Sequence, residues 1–204
     1  MTGKALPECY HCRFDEAGYP CRRADVAGLD YARIARDLVR SGRAFAGEGI
    51  DEALCAETRW ASDCAFEIEN EHPEHLLALV LAAMDACETL ADAAYIAAGV
   101  TENMVVKHGP RVISDIERLA SKSAKFRYIL SGIWSQGGSV DAGVWDRIGI
   151  AVARGGRMSA DGRGPWDGRP VTVLDDAAAQ ALLAERVVDI ARTLGLVEGA
   201  APPR

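Results

Sequence analysis

The sequence has few of the features that mark membrane, secreted or disulfide-stabilised proteins. In 204 residues, the longest apolar run is the nine-residue stretch 76–84, far short of the roughly 20 residues that span a bilayer. No secretory signal opens the chain, and six cysteines are too sparse for a small disulfide scaffold. We therefore expect a cytoplasmic protein that does not enter a membrane.

The familiar motifs of catalysis and nucleotide binding are also missing. The chain contains no P-loop, no G-x-S-x-G elbow and no H-E-x-x-H motif. Gly162 and Gly164 do not form a dinucleotide fingerprint, because no strand pattern precedes them and Pro165 follows. Alternating β-branched runs are scarce as well, so a sheet protein would be hard to build. These absences favour a helical protein without a recognisable reaction centre.

Charge is distributed unevenly along the chain. The whole sequence carries 30 acidic and 23 basic side chains, a net charge of −7, but residues 43–92 alone carry twelve acidic and two basic ones, a balance of −10. Such a block repels phosphate backbones and attracts basic partners. Glu67, Glu69 and Glu71 are its candidate partner-binding residues. The alternative is an ordinary solvated helix face.

Apolar side chains recur with the period of an α-helix from residue 29 onward, which predicts an all-α protein. Glycine, proline and capping residues divide this region into about eight helices with short links, as in an orthogonal bundle. Pro73 suits the first turn of a buried helix that extends to about residue 86. The predicted N-caps are Asp51, Thr89, Thr101, Ser123, Asp141 and one of Asp175 and Asp176.

Two predicted helix boundaries depend on glycine and proline. A short helix is expected to end at Gly109, with His108 in its last turn, and Pro110 is expected to begin the next helix. The final helix is expected to continue unbroken to Gly195. The predicted organisation is a cysteine-rich arm over residues 1–28, one helical domain over 29–198 with an irregular loop at 155–170, and a frayed tail over 199–204.

The central part of the sequence resembles a family of uncharacterised bacterial helical domains over roughly residues 71–134. The motifs that carry the resemblance are Pro73 with Glu74, then Ile96 to Gly99, then His108 with Gly109, then Ile116, Glu117 and Ala120, and finally Phe126, Arg127, Leu130 and Trp134. The resemblance implies an all-α domain and assigns no activity to it.

A cysteine knuckle near the start of the chain is the clearest candidate metal site. Cys9 and Cys12 are spaced C-x2-C, which presents two thiolates to one ion, and Cys21 follows a turn that brings it within reach as a third ligand. This pattern predicts a structural zinc ion, and the alternative is ordinary thiols. The fourth ligand would have to come from the helical region, where the candidates are Cys55, Cys64, His72 and His75.

The glycine-rich loop at 155–170 combines several arginines with one tryptophan. Arg157, Arg163 and Arg169 surround Trp166, and arginines beside an exposed aromatic ring bind phosphates, single strands or acidic partners. The alternative is a flexible loop held down by one buried tryptophan.

Together these patterns predict a non-catalytic helical protein-binding protein of bacterial or phage type, with an inhibitor, immunity or adaptor role. It would act through the acidic block, the arginine loop, or both, and a protein partner is favoured over nucleic acid. One alternative is an enzyme or small-ligand-binding protein whose site assembles from distant helices, with His72, His108, Glu102 and the loop arginines as candidates. Another is a zinc-knuckle regulator associated with nucleic acid.

Overall fold

The computed structural model describes residues 30–45, 49–134, 139–158 and 172–197. Within these ranges the chain forms nine α-helices, and the β-structure consists of one isolated bridge between Arg157 and Val173. The all-α prediction is therefore confirmed. The helices are α1 (Tyr31–Arg43), α2 (Glu52–Glu71), α3 (Leu76–Ala86), α4 (Leu90–Ile96), α5 (Glu102–Lys122), α6 (Ala124–Leu130), α7 (Ala142–Val152), α8 (Asp176–Leu182) and α9 (Val187–Thr193).

Side-chain caps begin most of these helices where the sequence predicts them. At the start of α4, the Thr89 hydroxyl accepts a hydrogen bond from the Asp92 amide at 3.1 Å, and the Asp92 carboxylate accepts one from the Thr89 amide at 3.0 Å. This reciprocal pair is a capping box, which satisfies two backbone donors that the helix itself leaves unpaired. The predicted caps confirmed in the same way are Asp51, Ser123, Asp141 and Asp175.

The helices cluster in two compact units, one ending at Ala86 and the other beginning at Cys87. In the first unit, α1 packs against α2 and α3 through one apolar face. Pro73 begins a single 3₁₀ turn that leads directly into α3, and α3 is buried along most of its surface, both as predicted. The predicted arm and tail lie outside the described residues, and the single domain over 29–198 stays a prediction.

The helix α5 does not end at Gly109, so that predicted boundary is wrong. It continues through Pro110, which removes one intrahelical hydrogen bond without ending the helix. Gly109 faces α7 instead, where a Cβ atom would lie 2.9 Å from Cγ1 of Val144. His108 therefore lies inside the helix rather than in its last turn, and the predicted Thr101 cap makes no side-chain hydrogen bond.

The predicted final helix is in fact two helices, because the backbone between α8 and α9 has partners elsewhere in its unit. The fully buried Lys125 donates from Nζ to the Leu183 carbonyl at 2.9 Å and to the Glu185 carbonyl at 3.3 Å. In return, the Glu185 carboxylate accepts from the amides of Ala124 and Lys125, both at 3.0 Å, at the start of α6. The chain after α9 turns at Gly195 with φ 67°, as the predicted helix end requires.

Candidate functional site

One outward face of α2 combines acidic side chains with an exposed aromatic ring. Asp63, Phe66, Glu67, Asn70 and Glu71 follow the i, i+3, i+4, i+7, i+8 spacing of a single helix face. Phe66 is 66% exposed, Asn70 and Glu71 are also exposed, and Asp63 and Glu67 are partly exposed. We call these five residues the acidic face of α2.

Glu69 is not part of this face, although the sequence predicts it as a partner-binding residue together with Glu67 and Glu71. Residues two apart on a helix point about 200° away from each other, so Glu69 lies on the opposite side of α2. It is only 4% exposed. A partner that approaches the acidic face would meet Glu67 and Glu71 but not Glu69.

The carboxylates of Glu67 and Glu71 are not neutralised within the described part of the chain. Neither forms an ion pair or a side-chain hydrogen bond with a described residue, whereas Glu57 on the same helix pairs with Arg40 at 2.8 Å. The last turn of α2 contains no basic residue. Carboxylates near a helix C-terminus oppose the helix dipole, and like charges four residues apart repel by about 0.2–0.5 kcal/mol. The protein therefore carries an unfavourable charge arrangement that a basic ligand would relieve.

A second polar cluster joins the start of α1 to the turn before α3. The Tyr31 hydroxyl lies 2.5 Å from Nδ1 of His75, and Glu74 Oε1 lies 3.8 Å from both His75 Nε2 and His72 Nδ1. Burial, reinforced by the charge of Glu74, raises the pKa of Tyr31 to about 12. The hydroxyl therefore remains protonated at neutral pH and can donate to a neutral His75.

The histidines and the other candidates for an assembled reaction centre are divided between the two compact units. Nε2 of His72 is buried without a hydrogen-bond partner among the described residues. His108 and Glu102 belong to the second compact unit, where Glu102 accepts from the Trp134 amide at 2.8 Å. Across the described ranges, no group of three or more histidine, cysteine or acidic side chains is arranged to hold a metal ion.

Of the four predicted binding residues in the loop, the structure describes Arg157 alone. Arg157 is half-buried, and its backbone bridges to the segment around Val173: its amide donates to the Thr172 carbonyl at 2.8 Å, and its carbonyl accepts from the Leu174 amide at 3.3 Å. The remaining predicted site residues lie outside the described ranges: Cys9, Cys12, Cys21, Arg163, Trp166 and Arg169.

A shallow groove between α5 and α7 was not foreseen from the sequence. Its cavity volume is about 110 Å³, and the residues that line it are Glu117, Ala120, Ser121, Arg147, Ile150, Ala151 and Arg154. The Arg147 guanidinium donates two hydrogen bonds, of 2.9 and 2.6 Å, to the Glu117 carboxylate. These bonds hold the pKa of Glu117 below its usual range. Ile150 is 49% exposed, and the exposed Arg154 forms no ion pair with a described residue. The sequence feature that could have indicated this groove is the i, i+3, i+7 spacing of Arg147, Ile150 and Arg154, which places them on one helix face.

The sequence profile of a family of unknown function, DUF6869, matches residues 48–156, which is more than half of the chain. The chain belongs to DUF6869. This match includes the stretch 71–134 and confirms its resemblance to an uncharacterised domain family. The DUF6869 region spans α2 to α7, and so contains both the acidic face of α2 and the groove between α5 and α7.

Searches of curated proteins and of solved structures found no match for this DUF6869 chain. Among the helices of the described ranges, none combines the length and the apolar character needed to cross a membrane.

Proposed function

We propose that this DUF6869 protein is a helical protein-binding module, and that the acidic face of α2 recognises a basic segment of its partner. The observation that carries the proposal is an exposed Phe66 on the same face as Glu67 and Glu71, at a helix end whose last turn contains no basic residue. The proposal includes a non-catalytic inhibitor, immunity or adaptor role of bacterial or phage type, in the cytoplasm.

The chemistry of the face specifies the partner. Aromatic side chains that lose their solvent contact at an interface often supply much of the binding energy, so Phe66 would act as the anchor. Lysine or arginine side chains of the partner would pair with Glu67 and Glu71 and would also interact favourably with the C-terminal end of the α2 dipole. A peptide segment with two basic residues flanking an apolar one fits both requirements.

Site-specific photocrosslinking tests this assignment. A photoreactive phenylalanine analogue replaces Phe66 in one variant and Ala53 in a matched control, in cells that express the protein. Ala53 is also exposed on α2 but lies about 20 Å away along the helix axis. We expect a discrete crosslinked protein from position 66 and not from position 53.

Charge reversal then identifies the interaction. Glu67→Lys combined with Glu71→Lys should remove the crosslink from position 66, because the partner's basic side chains are then repelled. Equal crosslinking from both positions, or a crosslink that survives the charge reversal, would contradict the proposal.

The cluster around Tyr31 favours a second candidate, a small-ligand-binding or catalytic site on the first unit. A protonated phenol in contact with an imidazole can bind or protonate a polar ligand. Tyr31→Phe should then weaken binding in a small-molecule screen by ligand-induced thermal shift, while Glu52→Gln, on the exposed start of α2, should not. A screen in which both variants retain every ligand would contradict this candidate.

We also propose that Cys9, Cys12 and Cys21 hold a zinc ion, on the strength of their spacing in the sequence. Metal analysis of the purified protein should find about one zinc per chain. Cys9→Ser combined with Cys12→Ser should lose it, and Cys87→Ser, at a cysteine outside the candidate ligands, should keep it. A zinc-free wild-type protein would contradict the proposal.

A further inference from the structure

The groove between α5 and α7 has the opposite character to the acidic face of α2. Its charged side chains are Arg147, Arg154 and Glu117, a balance of +1. The exposed Ile150 adds an apolar surface beside these charged side chains. An incoming segment that fits this groove needs carboxylates and one apolar side chain.

The two arginines of the groove differ in how far they are already engaged. Arg147 is fixed by its two hydrogen bonds to Glu117, so it is oriented before a ligand arrives. Arg154 has no such partner among the described residues and is exposed. A guanidinium without a fixed carboxylate can bind one in a two-pronged arrangement, which makes Arg154 the principal contact for an acidic ligand.

The chain itself provides a segment of this kind. The acidic face of α2 presents Glu67 and Glu71 without described counter-ions, and Phe66 projects beside them. Both surfaces lie within the DUF6869 region. Every molecule therefore carries both complementary surfaces, always in a one-to-one ratio.

We infer that the acidic face of α2 in one copy docks into the α5–α7 groove of a second copy. This inference rests on the proposed function and names the partner. Glu67 and Glu71 would face Arg154 and Arg147 of the other copy, and Phe66 would cover Ile150. Because the two surfaces in contact are different, successive copies would form closed rings or open chains. If two copies each dock their acidic face into the other's groove, they form a closed dimer instead.

Sedimentation analysis at several protein concentrations tests the inference on the full-length chain. The wild-type protein should associate reversibly, and high salt should weaken the association because the contact is partly ionic. Arg154→Glu should weaken it about tenfold or more, since an attractive pair becomes repulsive. Arg111→Glu makes the same charge change at an exposed position of α5 outside the groove, and it should leave the association unchanged.

A charge exchange provides the specific control. Glu71→Arg alone should weaken association as Arg154→Glu does, and a chain that carries both substitutions should associate again, because the reversed face of each copy then matches the reversed groove of the next copy. A wild-type chain that stays monomeric at all concentrations, or a double variant that does not recover association, would overturn the inference. Photocrosslinking from position 66 to a different protein would, in that case, leave the proposed function standing without self-association.

Discussion

A single buried lysine, Lys125, connects α6 to the turn between α8 and α9 in the second unit. Its side chain is fully buried, and its ammonium group donates to two backbone carbonyls in the turn between α8 and α9. A buried ammonium is tolerated only when hydrogen bonds replace its lost hydration. The turn therefore supplies acceptors that a continuous helix would have used internally.

We predict that Lys125→Met destabilises the protein by about 2–4 kcal/mol, because the Leu183 and Glu185 carbonyls lose a buried donor. Urea unfolding measures the change. Lys122→Met, at an exposed position on α5, is the matched control and should change stability by less than about 0.5 kcal/mol. Equal effects of the two substitutions would contradict this role of Lys125.

Tyr31 gives a prediction for alkaline pH. Its pKa is raised from 10.0 to about 12 by burial and by Glu74, so the unfolded chain releases the phenolic proton before the native protein does. The stabilising contribution of the neutral phenol is thus complete below about pH 10 and is lost as the pH rises towards 12. Unfolding is measured at about pH 9 and about pH 11.5, on either side of pH 10. Between these two pH values the wild-type protein should lose more stability than the Tyr31→Phe variant. Parallel losses in urea unfolding would show that Tyr31 is not responsible.

At the level of elements, the contact between α5 and α7 depends on the absence of a side chain. A Cβ atom on Gly109 would lie 2.9 Å from Val144, whose branched side chain has little rotational freedom in a helix. Glycine in a helix interior costs about 1 kcal/mol relative to alanine. Gly109 therefore lowers the helix propensity of α5 but allows α5 and α7 to approach each other closely.

Gly109→Ala should therefore destabilise the protein by about 1–3 kcal/mol in the wild-type background. In a Val144→Ala background the steric conflict disappears, and the same substitution should become neutral or stabilising because only the gain in helix propensity remains. A double-mutant cycle from urea unfolding measures this coupling. The same destabilisation in both backgrounds would contradict the close-packing account.

These elements also show which features of the fold were predictable from sequence. Caps such as Thr89 and Asp141 act through neighbouring residues, so local sequence was sufficient to place them. The continuation of α5 through Gly109 and the break before α9 depend on contacts with residues distant in sequence, notably Val144 and Lys125. Spacing along one helix carries no information about such contacts.

For the whole molecule, the sequence located the acidic block but not the surface that the block forms. The helical period separates Glu69 from Glu67 and Glu71, and this could have been deduced from the sequence alone. The exposure of Phe66 and the formation of the α5–α7 groove could not, because both depend on how helices pack within each unit. The two proposed binding surfaces therefore depend on the fold, and their partners are proposed from charge and shape.

Whether the acidic face of α2 is a binding surface is tested most directly by how substitutions at the two ends of α2 change the free energy of unfolding. If Glu71 is retained for binding, Glu71→Gln should raise the free energy of unfolding by about 0.3–1 kcal/mol, because a charge that opposes the helix dipole is removed. Glu52→Gln, in the first turn of the same helix, should lower it, since a carboxylate is favourable there. We predict these opposite signs, together with weaker crosslinking from position 66 in the Glu71→Gln protein. A Glu71→Gln protein that is less stable, with unchanged crosslinking, would contradict the claim that the acidic face of α2 is a binding surface.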